Sequence, residues 1–209
     1  MNVSVRHLAV AAIAVLTVAM SACGGDAVTD TRVLSGFQLT PAPSVADLSM
    51  PDASAGDTDF AFVAPAGQLL LVYFGYTSCP DVCPTSLSDV KHALATLGDR
   101  ASSIEVAMVT IDPDRDGAEL LTNYVRSFVP TAHALRTDDA DLLASVAAGF
   151  GASYSVETND AGEIEVGHSA SIYVVDDSGS VVLTWPFGLP DDAMSTDLSI
   201  LLDQMEAAS

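Results

Sequence analysis

Two apolar runs decide most of what this chain can become. Residues 69–76 read LLLVYFGY and residues 104–112 read IEVAMVTID, both hydrophobic at nearly every position over the length of a strand. A strand with one wet face alternates apolar and polar residues. One that is apolar throughout must be covered on both faces, as central strands of α/β sheets are. After each run the period changes. Leu87, Val90, Leu94 and Leu97 recur at helical spacing from Thr85 onward and stop at Gly98, a residue that ends helices without strain. Residues 117–129 (GAELLTNYVRSFV) predict a second helix and DADLLASVAAGFG a third, with the short extended piece HALRTD between them. Alternating β and α elements of this kind predict a mixed central sheet flanked by helices.

The rest of the domain reads as β-structure and one closing helix. From about Gly36, GFQLTPAPSVADLSMPDAS is rich in turn formers, with short alternating stretches suited to an edge hairpin. Past the third helix, SYSVET, IEVGHSASIYVVD and VVLTWPFG are separated by the turns NDAG and DDSG and predict antiparallel strands. DDAMSTDLSILLDQMEAA is an amphipathic helix whose opening acids suit the helix dipole. With no internal repeat and no second composition boundary, residues 36–209 read as one domain, and the element order matches a thioredoxin-like α/β fold.

Charge and the N-terminus bound the setting. The chain carries 28 acidic against 7 basic residues, a net charge of −21. Such a surface repels phosphate backbones, which excludes nucleic acid as a partner. Arg6 precedes LAVAAIAVLTVAM, a run of thirteen residues. A membrane-spanning helix needs about 20, so this run suits the core of a secretory signal. Ser21-Ala22-Cys23-Gly24 then resembles a bacterial lipobox, with Met20 where leucine is usual. The expectation is a lipoprotein signal peptide over residues 1–22 and a lipidated Cys23 opening a flexible tether to residue 35. The domain is then held on the extracytoplasmic face of a bacterial membrane. An uncleaved anchor would tether it there as well.

That assignment leaves two of the three cysteines, Cys79 and Cys83, in the stretch YFGYTSCPDVCPTSL. They stand four apart at a strand-to-helix junction, each followed by proline. The start of a helix offers unpaired N–H groups and a positive dipole end, both of which favour thiolate. Spacing of i and i+4 puts both sulphurs on one side of a turn, and Pro80 and Pro84 are expected to delay an ordinary helix until after Cys83. A disulfide across so small a loop constrains little unfolded-state entropy, so a purely structural bridge is a poor use of the pair. A redox couple and half of a metal site both remain. Among the histidines, His7 leaves with the leader, His92 beside Lys91 reads as exposed, and His133 reads as a loop residue with no evident partner. His168, at the opening of SASIYVVD, can reach a neighbouring loop, although a histidine at a strand end serves as readily as a hydrogen-bonded structural residue. Two thiolates with one imidazole suit Cu(I), and with water or a carboxylate also Cu(II). A closed zinc site wants a fourth soft ligand, and none is evident.

FGYTSCPDVCPTSL, VTIDPDRD and VGHSASIYVVDDSG, in this order and approximate spacing, resemble the Sco/SenC family. These are membrane-anchored, thioredoxin-fold copper proteins that assist assembly of the CuA centre of cytochrome c oxidase. The likeness runs from about Gly36 to the last helix. It implies that Cys79, Cys83 and His168 bind copper and that the CuA-bearing oxidase subunit, with other copper chaperones, is the partner. It further implies that Asp112 lies near the site, tuning it or capping a turn, and that Asp81 belongs to the motif. Two positions depart from the family pattern: Ser78 replaces a common histidine before the first cysteine, and Gly167 replaces a common aspartate before His168. Other readings of the same residues are a thiol–disulfide oxidoreductase or redox sensor, a peroxidase (VCPT resembles the peroxidatic motif of peroxiredoxins), and an acidic binding module for a basic partner.

Overall fold

The computed structural model describes residues 32–158 and 164–208. The leader, Cys23 and the tether up to Thr31 lie outside the described residues. Among the described residues no helix is long and apolar enough to cross a membrane.

Strand β3 (Leu69–Gly75) is buried at every residue and lies inside the sheet. It runs parallel to β4 (Ile104–Thr110) on one side and antiparallel to β8 (Ile172–Val175) on the other. The remaining strands of this sheet are β1 (Ser49–Asp52), β2 (Thr58–Ala61), β5 (His133–Leu135) and β9 (Val181–Trp185). The seven run in the order β2-β1-β5-β4-β3-β8-β9. The helices are α1 (Val82–Leu97), α2 (Ala118–Phe128), α3 (Ala140–Phe150) and α4 (Asp191–Ala208). Phe150 of α3 stacks edge-on against Phe62, Phe74 and Tyr173, with centroids 5.1, 5.4 and 5.4 Å away. Trp185 is fully buried, and its indole N–H donates to Asp197 of α4 at 2.9 Å. Asp197 also accepts from the N–H groups of Ser35 and Gly36, so chain packing begins ahead of Gly36.

The mixed sheet with flanking helices agrees with the pattern of apolar runs; of the stretch expected to form an edge hairpin only β1 is a named strand, and its hairpin partner β2 lies just beyond it. Three details differ from the sequence reading. Helix α1 starts at Val82, before Cys83, because Pro84 falls in the first turn, where a missing N–H costs nothing. His133 is no loop residue: it opens β5, binds the Asp52 carboxylate through Nδ1 at 2.7 Å and rests on Phe60. Finally, IEVGHSASIYVVD is two strands. Its first part, β7 (Ile164–His168), pairs with β6 (Tyr154–Thr158) in a separate two-stranded sheet, and only Ile172–Val175 joins the central one. The break falls at Ser169-Ala170-Ser171, small residues with little apolar surface to bury. There the Ser169 N–H donates to the Ser153 carbonyl at 2.8 Å and its hydroxyl accepts from the Ser153 N–H at 3.1 Å.

Candidate metal centre

Cys79, Cys83 and His168 meet where β3 gives way to α1. Cys79 sits in the connecting loop, Cys83 in the first turn of α1, and His168 closes β7. Their three ligand atoms all lie within 4.8 Å of one another, and Cys83 Sγ is 3.6 Å from His168 Nε2. No other group of three or more such side chains occurs among the described residues. Both thiols are unpaired and buried.

The two cysteines are chemically unequal. Burial works against ionisation of Cys79, but hydrogen bonds from the Cys83 thiol, from the N–H groups of Cys83 (3.3 Å) and Asp81, and from Tyr76 outweigh it and hold its pKa below the ordinary thiol value. Cys83 lies deeper. Burial pushes its thiol up to about 12, the Tyr73 hydroxyl offsets part of this, and the neighbouring Cys79 adds to it. Burial likewise lowers the His168 pKa, partly opposed by the Ser169 carbonyl, which accepts from Nδ1 at 3.2 Å. That bond places the proton on Nδ1 and turns the bare Nε2 toward the sulphurs. Tyr73 and Tyr76 flank the imidazole edge-on at 6.2 and 6.0 Å.

Two further residues shape the pocket. Gly75 is needed by close approach: a Cβ there would stand 2.7 Å from the Tyr73 ring and 3.0 Å from Cys83 Sγ. Asp116 is fully buried; its carboxylate accepts from the Thr77 N–H at 3.0 Å and from the Thr77 and Thr110 hydroxyls. Thr77 lies two residues before Cys79, so Asp116 clamps the ligand loop to the end of β4. The sequence reading passes over Asp116, although its place as the last residue of the VTIDPDRD motif is the signal that could have singled it out. Asp112 does not reach the sulphurs: its carboxylate pairs with Arg115, whose guanidinium lies over the Tyr76 ring at 5.7 Å. Asp81 occupies the helix N-cap without a side-chain cap bond and helps line an open cleft of about 300 Å³ between Cys79 and His168.

This donor set fits a soft, low-coordinate ion. A trigonal centre with metal–sulphur bonds of about 2.3 Å and a metal–nitrogen bond of about 2.0 Å separates its donors by about 3.7–4.0 Å. The observed spacings need only small adjustment to reach that. Two thiolates and one imidazole are also the ligand types that select Cu(I) over hard cations.

Comparison with known proteins agrees with this geometry. An SCO2-like protein of Rickettsia prowazekii is 35% identical over 115 residues, covering 54% of this chain and 56% of the relative, so the chain matches little more than half of that protein's length. The copper-bound structure of Bradyrhizobium japonicum ScoI superposes with a TM-score of 0.63 at 28% identity, over 73% of this chain and 96% of that one. Apo Sco1 of Thermus thermophilus does so with a TM-score of 0.66, also at 28% identity, over 86% and 99%. Residues 55–203, which take in both cysteines, the Asp112–Asp116 turn and His168, match SCO1/SenC throughout, and the chain belongs to that family.

Proposed function

We propose that this protein binds one copper ion through Cys79, Cys83 and His168 and serves the assembly of the CuA centre of cytochrome c oxidase. The observation that carries the reading is the convergence of two thiol sulphurs and a bare imidazole nitrogen within 4.8 Å at one rim of the domain. The open cleft beside Cys79 gives a partner's ligands a way in. The partners are the CuA-bearing oxidase subunit and other copper chaperones. Lipid on Cys23 would hold the domain on the extracytoplasmic face of the membrane.

Copper titration of the mature protein tests the ligand set. One Cu(II) per chain is expected, with strong thiolate-to-copper charge-transfer absorption, and His168→Ala should weaken both. An unchanged stoichiometry and spectrum in His168→Ala would sink the proposed ligand set. For the anchor, Cys23→Ser should release the protein from the membrane fraction.

The unequal cysteines favour a second use of the same pair. Attack by the Cys79 thiolate on a disulfide of the oxidase subunit forms a mixed disulfide and expels one partner thiolate. Cys83 then displaces the other, leaving a Cys79–Cys83 disulfide and a dithiol partner, with two electrons transferred. An external dithiol reductant resets the pair. Stoichiometric reduction of a disulfide peptide carrying the partner's cysteine spacing would support this use; absence of any mixed disulfide with Cys83→Ser would refute it.

A further inference from the structure

One buried donor beside the sulphurs is left without a partner. Tyr73 lies in β3, only 2% exposed, and its hydroxyl, though close enough to the Cys83 thiol to act on it, meets no partner at hydrogen-bonding geometry. Its ring and Cys83 Sγ both crowd the bare face of Gly75, the ring carbon 2.7 Å and the sulphur 3.0 Å from where a Cβ would be. The hydroxyl lies near the Cys83 and Ser86 side chains. A buried polar group without a partner is uncommon in a native fold and asks for an explanation. A neutral thiol is a weak acceptor, whereas a metal-bound sulphur is a thiolate and accepts strongly.

We infer that Tyr73 is a positioning residue of the metal site, whose hydroxyl donates to the Cys83 thiolate when copper is bound and biases the site toward Cu(I). This rests on the copper reading above. A hydrogen bond to a ligating thiolate draws electron density from sulphur, lowers the energy of its donor orbital and weakens its bond to Cu(II) more than to Cu(I). The surroundings suit such a donor. The aromatic ring is fixed between β3 and α1, Gly75 leaves room for close approach, and water is excluded from the deep side of Cys83.

Tyr73→Phe keeps the ring and removes only the hydroxyl. The full mature protein and this variant are compared with copper alone as the probe. The variant should still bind one Cu(II) per chain, with its charge-transfer band moved to lower energy. Its preference for Cu(I) over Cu(II), the ratio of the two affinities measured by competition with chromophoric chelators, should fall roughly 10- to 100-fold, the scale on which a ligand's hydrogen-bond partner tunes a metal site. An unshifted band with an unchanged ratio of Cu(I) to Cu(II) affinity would overturn the proposal while leaving the copper reading intact; failure of the unaltered protein to bind copper would overturn the copper reading instead. A second measurement does not depend on that variant folding. The copper–sulphur Raman band should shift between H₂O and D₂O in Ser86→Ala as well as in the parent. Loss of that shift in Ser86→Ala would assign the donor to Ser86 and refute the role of Tyr73.

Discussion

Replacing Asp116 by alanine should loosen the ligand loop and the fold together. One carboxylate oxygen accepts from the Thr77 N–H at 3.2 Å and the Thr77 hydroxyl; the other accepts from the same N–H at 3.0 Å and the Thr110 hydroxyl at 2.6 Å. Truncation leaves the two hydroxyls free to rotate toward other acceptors, but the Thr77 N–H stays fixed. An orphaned buried donor costs about 1–3 kcal/mol, and a hydrogen bond to a charged group contributes about 1.5–3 kcal/mol. The expected loss is then about 3–5 kcal/mol for Asp116→Ala. In Asp116→Asn the remaining carbonyl can keep the Thr77 N–H while the amide donates to a hydroxyl, so about 1 kcal/mol is expected. Urea unfolding followed by the fluorescence of Trp185, the single tryptophan, reads both. At a slope of about 2 kcal/mol per molar urea, the alanine midpoint falls by about 2 M. Copper affinity should fall with it, because Cys79 is held by the same loop. If Asp116→Ala unfolds within about 0.5 kcal/mol of the parent, or if asparagine does as much harm as alanine, the clamp argument is wrong.

Gly75→Ala should cost about 1–3 kcal/mol by overpacking, and relieving Met108, 3.2 Å from the new Cβ, should restore no copper binding because Cys83 still collides; thermal melts and charge-transfer intensity of the single and double variants check this. Asp52 gives a pH test. Burial opposes its ionisation, yet hydrogen bonds from Ser54 and His133 hold its pKa below the usual value, so its contribution is present above pH ~3.9, the unfolded-chain value, and is lost as pH falls through the lower folded one. Asp52→Asn should therefore be less stable than the parent at pH 7 and close on it at about pH 3, as read from urea midpoints; a gap that persists undiminished would remove the pairing as its cause. Asp197→Ala strips the acceptor from the Trp185 indole and from two N-terminal N–H groups, and should shift tryptophan emission to the red while lowering stability by about 2–4 kcal/mol; unshifted emission would show that α4 does not hold the indole.

Much of the fold is local enough to be written in the sequence. β3 and β4 are apolar at nearly every position because both faces are covered, and that composition announces their place inside the sheet before any partner is known. The α3 boundary is similarly legible: Asp139 caps the first turn through its side chain, and Gly151 ends the helix in the left-handed region at φ 69°. Pairing across distance is another matter. The strand pattern of IEVGHSASIYVVD continues through Ser169-Ala170-Ser171, and only the bonds of Ser169 to Ser153 show that the chain changes sheets there. The place of His133 is hidden for the same reason, since its partner Asp52 stands 81 positions earlier.

The pair Cys79 and Cys83 shows how a correct motif can still mislead about geometry. Spacing of four suggests two equivalent sulphurs on a helical turn. The helix instead begins between them, so Cys79 receives the N–H groups of Asp81 and Cys83, while Cys83 is carried inward against β3. The prolines explain why this arrangement is consistent. Pro80 has no N–H to offer, so the loop's donors toward Cys79 begin at Asp81. Pro84 lacks an N–H at a position of α1 that has no intrahelical acceptor, so the fold loses nothing. The inequality of the two thiols therefore owes much to where α1 starts, set by residues 80–84, with Tyr73 and Tyr76 acting on one sulphur each. His168 is set differently. It arrives on a hairpin outside the central sheet, oriented by the Ser169 carbonyl, and no feature of its own segment fixes its distance from Cys83. A shift of one residue in the β6–β7 register would turn its imidazole to the opposite face. The separation of ligand sulphur and nitrogen thus depends on the Tyr154–His168 pairing as much as on the cysteine motif.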